Sequence, residues 1–99
     1  MIVVNGTVRS TQEAIAALQG AISAMETASR AEPGCQDYTF SIELNDSCVF
    51  RITEKWDNLE SLQAHFQTPH MAEFQALMGK YPPESMEVHV YEVEEIDPF

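Results

Sequence analysis

Two histidines, His65 and His70, flank a predicted break between helical segments at Thr68-Pro69. Imidazole exchanges protons near neutral pH without a large change in its pKa, so this pair has the chemistry of general acid–base catalysis. The helix dipole favours a protonated ring at His65, late in its segment, and disfavours one at His70, in the first turn of the next. The two rings could divide acid and base roles, and each could equally cap a helix end or lie in solvent.

The single tryptophan, Trp56, is the third candidate catalytic residue. It ends a predicted strand, on the strand's apolar face, and its indole N–H needs an acceptor if the ring is buried. One interpretation is packing against Leu59 of the following helix. The other is a pocket wall whose N–H holds a substrate oxygen.

Aromatic rings and thioethers recur on the predicted apolar faces. Such side chains adapt to flat aromatic ligands, but the same spacing is typical of an ordinary hydrophobic core. The candidate substrate-binding residues are Tyr38, Phe40, Phe66, Met71 and Phe74.

Metal and cofactor signatures are absent from the sequence. The spacing of His65, His70 and Glu73 crosses a helix break and matches no standard ligand pattern, so no metal site is predicted. Cys35 and Cys48 lack CxxC spacing and are interpreted as two buried thiols. With only four glycines and no phosphate-binding loop, a nucleotide or flavin cofactor is not expected.

The chain is strongly acidic, with a formal net charge of −11 and only five Lys and Arg residues. That balance argues against nucleic acid and against anionic membrane surfaces as partners. No apolar run approaches the roughly 20 residues that span a bilayer. Residues 1–9 lack the pattern of a secretion signal, so a cytoplasmic location is expected. Ninety-nine residues predict one domain, 1–99, with a thin core.

The first half of the chain predicts a strand, a helix and a hairpin. Residues 2–9 form the strand, and Ser10-Thr11-Gln12-Glu13 reads as a capping box for a helix that ends by Ala31 or Glu32, before Pro33. Strict alternation over 37–44 and again over 48–56 predicts a hairpin with a turn at 45–47. The even-numbered residues of this hairpin are expected to face the helices.

The second half predicts two helical pieces and a strand. Asp57-Asn58-Leu59-Glu60 is a second capping box, and Thr68 with Pro69 restarts a helix that Gly79 is expected to stop. The last strand, 85–96, changes the phase of its apolar residues, which suggests a bulge or burial on both faces. The order β-α-β-β-α-β predicts an α+β, ferredoxin-like fold, a four-stranded antiparallel sheet with helices on one face.

Three segments together carry a family resemblance: Glu32-Pro33-Gly34-Cys35, then Glu54-Lys55-Trp56-Asp57, then residues 64–74, which read Ala-His-Phe-Gln-Thr-Pro-His-Met-Ala-Glu-Phe. In this order they resemble the antibiotic-biosynthesis monooxygenase family of small dimeric α+β barrel proteins. The resemblance implies a homodimer in which the sheet faces opposite the helices meet to close a dimeric α/β barrel.

The resemblance also implies an activity of the quinol- and anthrone-oxidising type. The expected partners are a small aromatic substrate and O2, with no cofactor. Trp56 matches the family's strand-end tryptophan, and His65 and His70 match its helix-region histidines; His65 is the expected base and Trp56 the oxyanion donor. Haem degradation is disfavoured, because Val8 precedes Arg9 where that branch has asparagine, and His65 stands where it has tryptophan.

Two other functions remain open from the sequence. One is an isomerase or lyase of the same fold that shuttles protons through the two histidines. The other is a non-catalytic dimer that binds an aromatic metabolite.

Overall fold

A computed structural model describes residues 1–99. Its elements are β1 (Ile2–Arg9), α1 (Gln12–Arg30), β2 (Cys35–Glu43), β3 (Asp46–Trp56), α2 (Leu59–His65), α3 (Pro69–Lys80) and β4 (Ser85–Glu92). The strands form one antiparallel sheet in the order β2-β3-β1-β4. This confirms the predicted α+β, ferredoxin-like fold, with the second helical unit divided into α2 and α3. None of the helices has the length and apolar character needed to cross a bilayer.

The core lies between the helices and one face of the sheet. Its central cluster consists of Ile2, Val4, Met25, Tyr38, Trp56 and Leu62. The opposite face carries polar cross-strand neighbours, as the alternation predicts: Asn5 pairs with Thr53, and Thr7 pairs with Arg51, whose guanidinium donates to the Thr7 hydroxyl at 3.0 Å.

Two of the three helix caps lie one residue from their predicted positions. Thr11 rather than Ser10 caps α1, because the Ser10 N–H bonds a carbonyl of β3 and so extends the sheet. Asn58 rather than Asp57 caps α2. Thr68 caps α3, with proline at the first helical position, as predicted.

The hairpin and the end of α3 also differ from expectation. The turn falls at residues 44–45, so Leu44 is almost fully exposed instead of packing on the helices. Gly79 lies inside α3, which continues to Lys80.

Strand β4 is regular, short and exposed on both faces. It ends at Glu92, pairs with β1 without a register shift, and has no buried residue. The predicted bulge or double-sided burial is therefore wrong, because β4 is an edge strand. The irregular pairing lies instead between β2 and β3, near Cys35 and near Ile42.

Candidate active site

The largest cavity, about 310 Å³, lies between the sheet and α3. Fifteen residues line it, and all except Glu54 and Gln75 are hydrophobic. The hydrophobic lining consists of Val4, Val8, Tyr38, Phe40, Phe50, Ile52, Phe66, Met71, Phe74, Met78, Met86, Val88 and Val90. All five residues expected to bind substrate are in this set. A concave, mostly apolar site with a few polar groups is typical of small-molecule binding.

Glu54 is the only carboxylate in the cavity wall and is 8% exposed. Burial raises the pKa of its carboxyl group, against a smaller lowering by the Trp56 indole, which donates to Glu54 Oε1 at 3.0 Å. The charge of His65 also lowers this pKa, while that of Glu32 raises it. A buried carboxyl with a raised pKa beside a cavity can take and return protons. Its signal in the sequence is a carboxylate in the inward register of β3, between Ile52 and Trp56.

Trp56 is fully buried and does not line the cavity. Its N–H is already bound by Glu54, so the expected bond to a substrate oxygen is not available in this geometry. The indole packs 4.9 Å from the ring of His65 and meets Tyr38 edge to face at 6.4 Å. The geometry therefore gives Trp56 the role of holding Glu54.

His65 and His70 share one carboxylate oxygen. Nδ1 of His65 lies 2.6 Å from Glu32 Oε2, and Nε2 of His70 lies 2.8 Å from the same atom. Their side chains are 1% and 25% exposed, with Glu32 between them at 11%. His65 contacts the back of the cavity wall through Tyr38, at 5.2 Å between rings, but does not line the cavity. We call Glu32, His65 and His70 the imidazole–carboxylate triad.

The carboxylate of the triad is Glu32 and not Glu73, the residue that was considered with the two histidines, and rejected, as a metal site. The ligating atoms of the triad lie within 4.8 Å of one another, close enough to surround one cation. Both nitrogens, however, lie at hydrogen-bonding distance from a single oxygen, which is the geometry of shared protons. The arrangement is that of a hydrogen-bonded network.

The turn after α1 places Glu32 against the end of α2. Gly34 has φ of +83°, and a side chain there would collide with Ser61. The Gly34 carbonyl accepts the N–H of Asp57, which ties the turn to the end of β3. The Thr68 hydroxyl donates to the His65 carbonyl at 2.7 Å and holds the C-terminal end of α2. The sequence identified this turn, but not the contact between Glu32 and His65, which are 33 residues apart.

Two further titratable groups adjoin the triad. Burial, followed by the charge of Glu54, raises the pKa of Tyr38 beyond its usual range, so its hydroxyl keeps its proton. Burial and the charge of Glu32 raise the pKa of the Cys35 thiol, which makes it a poor nucleophile. Cys35 and Cys48 are both free thiols, as expected, but both are partly exposed, so the expectation that they are buried is wrong.

Comparisons with known proteins agree with this architecture. A structure from Deinococcus radiodurans, provisionally named an antibiotic biosynthesis monooxygenase, superposes with a TM-score of 0.91 at 27% identity over 100% of this chain and 98% of that one. A conserved protein of unknown function from Bacteroides thetaiotaomicron gives 0.84 at 28% identity, over 93% and 96%.

Sequence comparison supplies the assignment. An uncharacterised protein of Synechocystis is 34% identical over 67 residues, which cover 68% of this chain and 46% of that protein, so the match spans about half the relative's length. The family model described as "Antibiotic biosynthesis monooxygenase" matches residues 1–77. The chain therefore belongs to the antibiotic biosynthesis monooxygenase family.

Proposed function

We propose that this protein is a cofactor-independent monooxygenase that oxidises a quinol- or anthrone-like aromatic substrate with O2. One observation carries the proposal: an apolar cavity of about 310 Å³ whose only carboxylate, Glu54, has a raised pKa. Flat rings suit the aromatic and thioether lining, where Tyr38, Phe40, Phe66, Met71 and Phe74 would bind them.

Glu54 takes the role of base that the sequence suggested for His65. It lines the cavity, whereas His65 lies behind the wall. Glu54 removes a phenolic proton, and the resulting anion reduces O2 by one electron; the two radicals then combine. The substrate supplies the electrons, so the protein binds the ring, moves the proton and excludes water. Trp56 holds the carboxylate in position.

We further infer that one 1–99 domain pairs with a second copy through the polar sheet face, in the cytoplasm. Thr7, Arg51 and Thr53 on this face offer hydrogen-bonding groups, with Glu43 as a counter-charge to Arg51. Light scattering after size-exclusion chromatography should give twice the chain mass, and a monomer at micromolar concentration would refute this arrangement.

Oxygen uptake with a panel of dihydroxynaphthalenes and anthrones, in chelator-treated protein, tests the activity. Glu54→Gln keeps the acceptor for Trp56 but cannot take the proton, so we expect a rate loss of roughly 10²- to 10⁴-fold. The matched control is Glu60→Gln, at an exposed position in the first turn of α2, which should keep the wild-type rate.

Each alternative gives its own result. Turnover that continues under strict anaerobiosis would indicate an isomerase or lyase. A ligand that stabilises the protein without forming product would indicate a binding protein. A Glu54→Gln variant with the full rate would remove Glu54 as the base.

A further inference from the structure

We propose that His65, Glu32 and His70 form a proton relay between the wall of the cavity and the groove between α1 and α3. This inference rests on the proposed function because the substrate supplies the proton. The geometry of the relay does not depend on that function. The relay residues do not line the cavity, so they act through Glu54.

The three side chains are ordered from inside to outside. His65 is buried, Glu32 is nearly buried and His70 is one-quarter exposed, with side-chain exposures of 1%, 11% and 25%. Both links are short, at 2.6 and 2.8 Å. The path from His65 to His70 therefore contains two hydrogen bonds and no gap, whereas no hydrogen bond joins Glu54 to His65.

The inner end of the relay is an imidazole nitrogen with no partner. His65 Nε2 is buried and makes no hydrogen bond. The relay assigns the ring proton to Nδ1, which donates to Glu32, and leaves the lone pair on Nε2. Trp56, which packs on this ring, also donates to Glu54, so His65 and Glu54 are both neighbours of one indole. The inner end of the network is thus a buried, unpartnered nitrogen on a ring that packs against Trp56, the residue that holds Glu54.

The outer end of the relay opens to solvent. His70 borders a second cavity of about 200 Å³ between α1 and α3, together with Met25, Glu73 and Leu77. Water in this groove can exchange protons with His70 Nδ1, since Nε2 is bound to Glu32.

The titratable neighbours of the relay are Glu54, Tyr38 and Cys35 towards the cavity and Glu73 in the groove. Tyr38 and Cys35 keep their protons because burial raises the pKa of each.

The transfer conserves protons and charge. The substrate O–H bond breaks and its proton goes to Glu54. The protonated carboxyl then turns to the unpartnered Nε2 of His65 and gives up the proton, and His65 becomes an imidazolium beside Glu32. One carboxylate poorly stabilises two imidazolium rings, so His70, protonated beforehand, releases its Nδ1 proton to water. One proton enters the buried network as another leaves, and the network gains no net charge. The reverse sequence returns a proton to the cavity when the oxygenated intermediate needs one.

Avoiding net charge matters because these groups are buried. An uncompensated charge in a low-dielectric interior is costly, and a shared carboxylate cannot offset two extra charges. The relay lets Glu54 take up and lose a proton while the net charge of His65, Glu32 and His70 together stays constant.

Binding of 4-nitrophenol tests the relay, because its anion absorbs visible light. Titration calorimetry in buffers of different ionisation enthalpy, at a pH where the free probe is neutral, counts the protons released. We expect the wild type to bind the anion and release about one proton per probe. His70→Gln keeps an N–H donor for Glu32 but has no proton to release, so the release should be lost. Glu60→Gln, at an exposed position in the first turn of α2, is the control and should behave as the wild type.

Nitrogen-15 NMR of the histidine rings tests the same idea without any ligand. The relay requires the Nδ1–H tautomer of His65, with Nε2 unprotonated at neutral pH. A proton found on His65 Nε2 in the resting protein would overturn the proposal, as would equal proton release by the wild type and His70→Gln. If 4-nitrophenol fails to bind, the tautomer of His65 found by NMR decides whether the relay is retained or overturned. Intact proton release with 4-nitrophenol, together with no oxygen uptake across the panel of dihydroxynaphthalenes and anthrones, would refute the oxygenase function and leave the relay standing.

Discussion

The two ends of the space between sheet and helices are filled in opposite ways. At one end Trp56, His65 and Leu62 are fully buried, and the Trp56 N–H and His65 Nδ1 bind the carboxylates of Glu54 and Glu32. At the other end Phe66 and Met86 are about half exposed around an apolar cavity. The fold packs tightly where it must hold polar groups and leaves room where the walls are apolar. Glu54 lies at the boundary, held by the packed end and facing the open one.

The largest expected effect contrasts one aromatic residue from each end. Trp56→Ala should lower the free energy of unfolding by about 4 kcal/mol, because it leaves a void in the core and removes the donor to Glu54. Phe66→Ala should cost less than about 1 kcal/mol, since half of that side chain is already exposed. Urea denaturation of both variants measures the contrast. Similar losses in the two variants would mean that the ends do not differ in packing.

A smaller effect is expected at the turn that carries Glu32. Gly34→Ala forces a side chain into a left-handed conformation and against Ser61, so we expect a loss of about 2 kcal/mol in the free energy of unfolding. Gly20→Ala is the matched control, because nothing lies within 4 Å of the new methyl group in α1. That control should stabilise the protein by up to about 1 kcal/mol through helix propensity. Equal effects of the two substitutions on stability would show that the turn changes conformation to accept a side chain at position 34.

The smallest expected effect is the pH dependence that Glu54 contributes. Burial raises its pKa in the folded state above the unfolded value. Its favourable contribution to stability is therefore complete below the unfolded pKa and is lost as the pH rises through the folded pKa. Glu54→Gln has no titratable group at this position, so it does not lose stability in this way as the pH rises. Its stability relative to the wild type should therefore improve from acidic to neutral pH, whereas Glu60→Gln should follow the wild type. Melting temperatures across that range measure the difference, and parallel curves for all three proteins would contradict it.

Most of the fold follows from local patterns in the sequence. The alternation in β2 and β3 and the Thr68-Pro69 restart depend on neighbouring residues, so their elements and faces were predictable. The α1 cap was misplaced because Ser10 and Thr11 can both cap a helix, and only pairing with β3 distinguishes them. The exposure of β4 depends on how far the helices extend over the sheet, which no local pattern records.

The site was predictable in its apolar part and not in its polar part. Tyr38, Phe40 and Phe74 occupy the apolar register, and the register alone brings them to one cavity. The contact of Glu32 with His65 depends on the rotation of α2 and on the close approach that Gly34 permits. The direction of the Trp56 N–H likewise depends on the rotamer of Glu54, two residues earlier.

The edge position of β4 has a consequence for how such a protein can diversify. Three of its side chains, Met86, Val88 and Val90, form part of the cavity wall, yet none contributes to the buried core. Replacing them reshapes the chamber at little cost to folding, because surface substitutions away from the core change stability only slightly. New ligand preferences can therefore arise along this one strand while the acid–base groups on the far side of the chamber remain undisturbed.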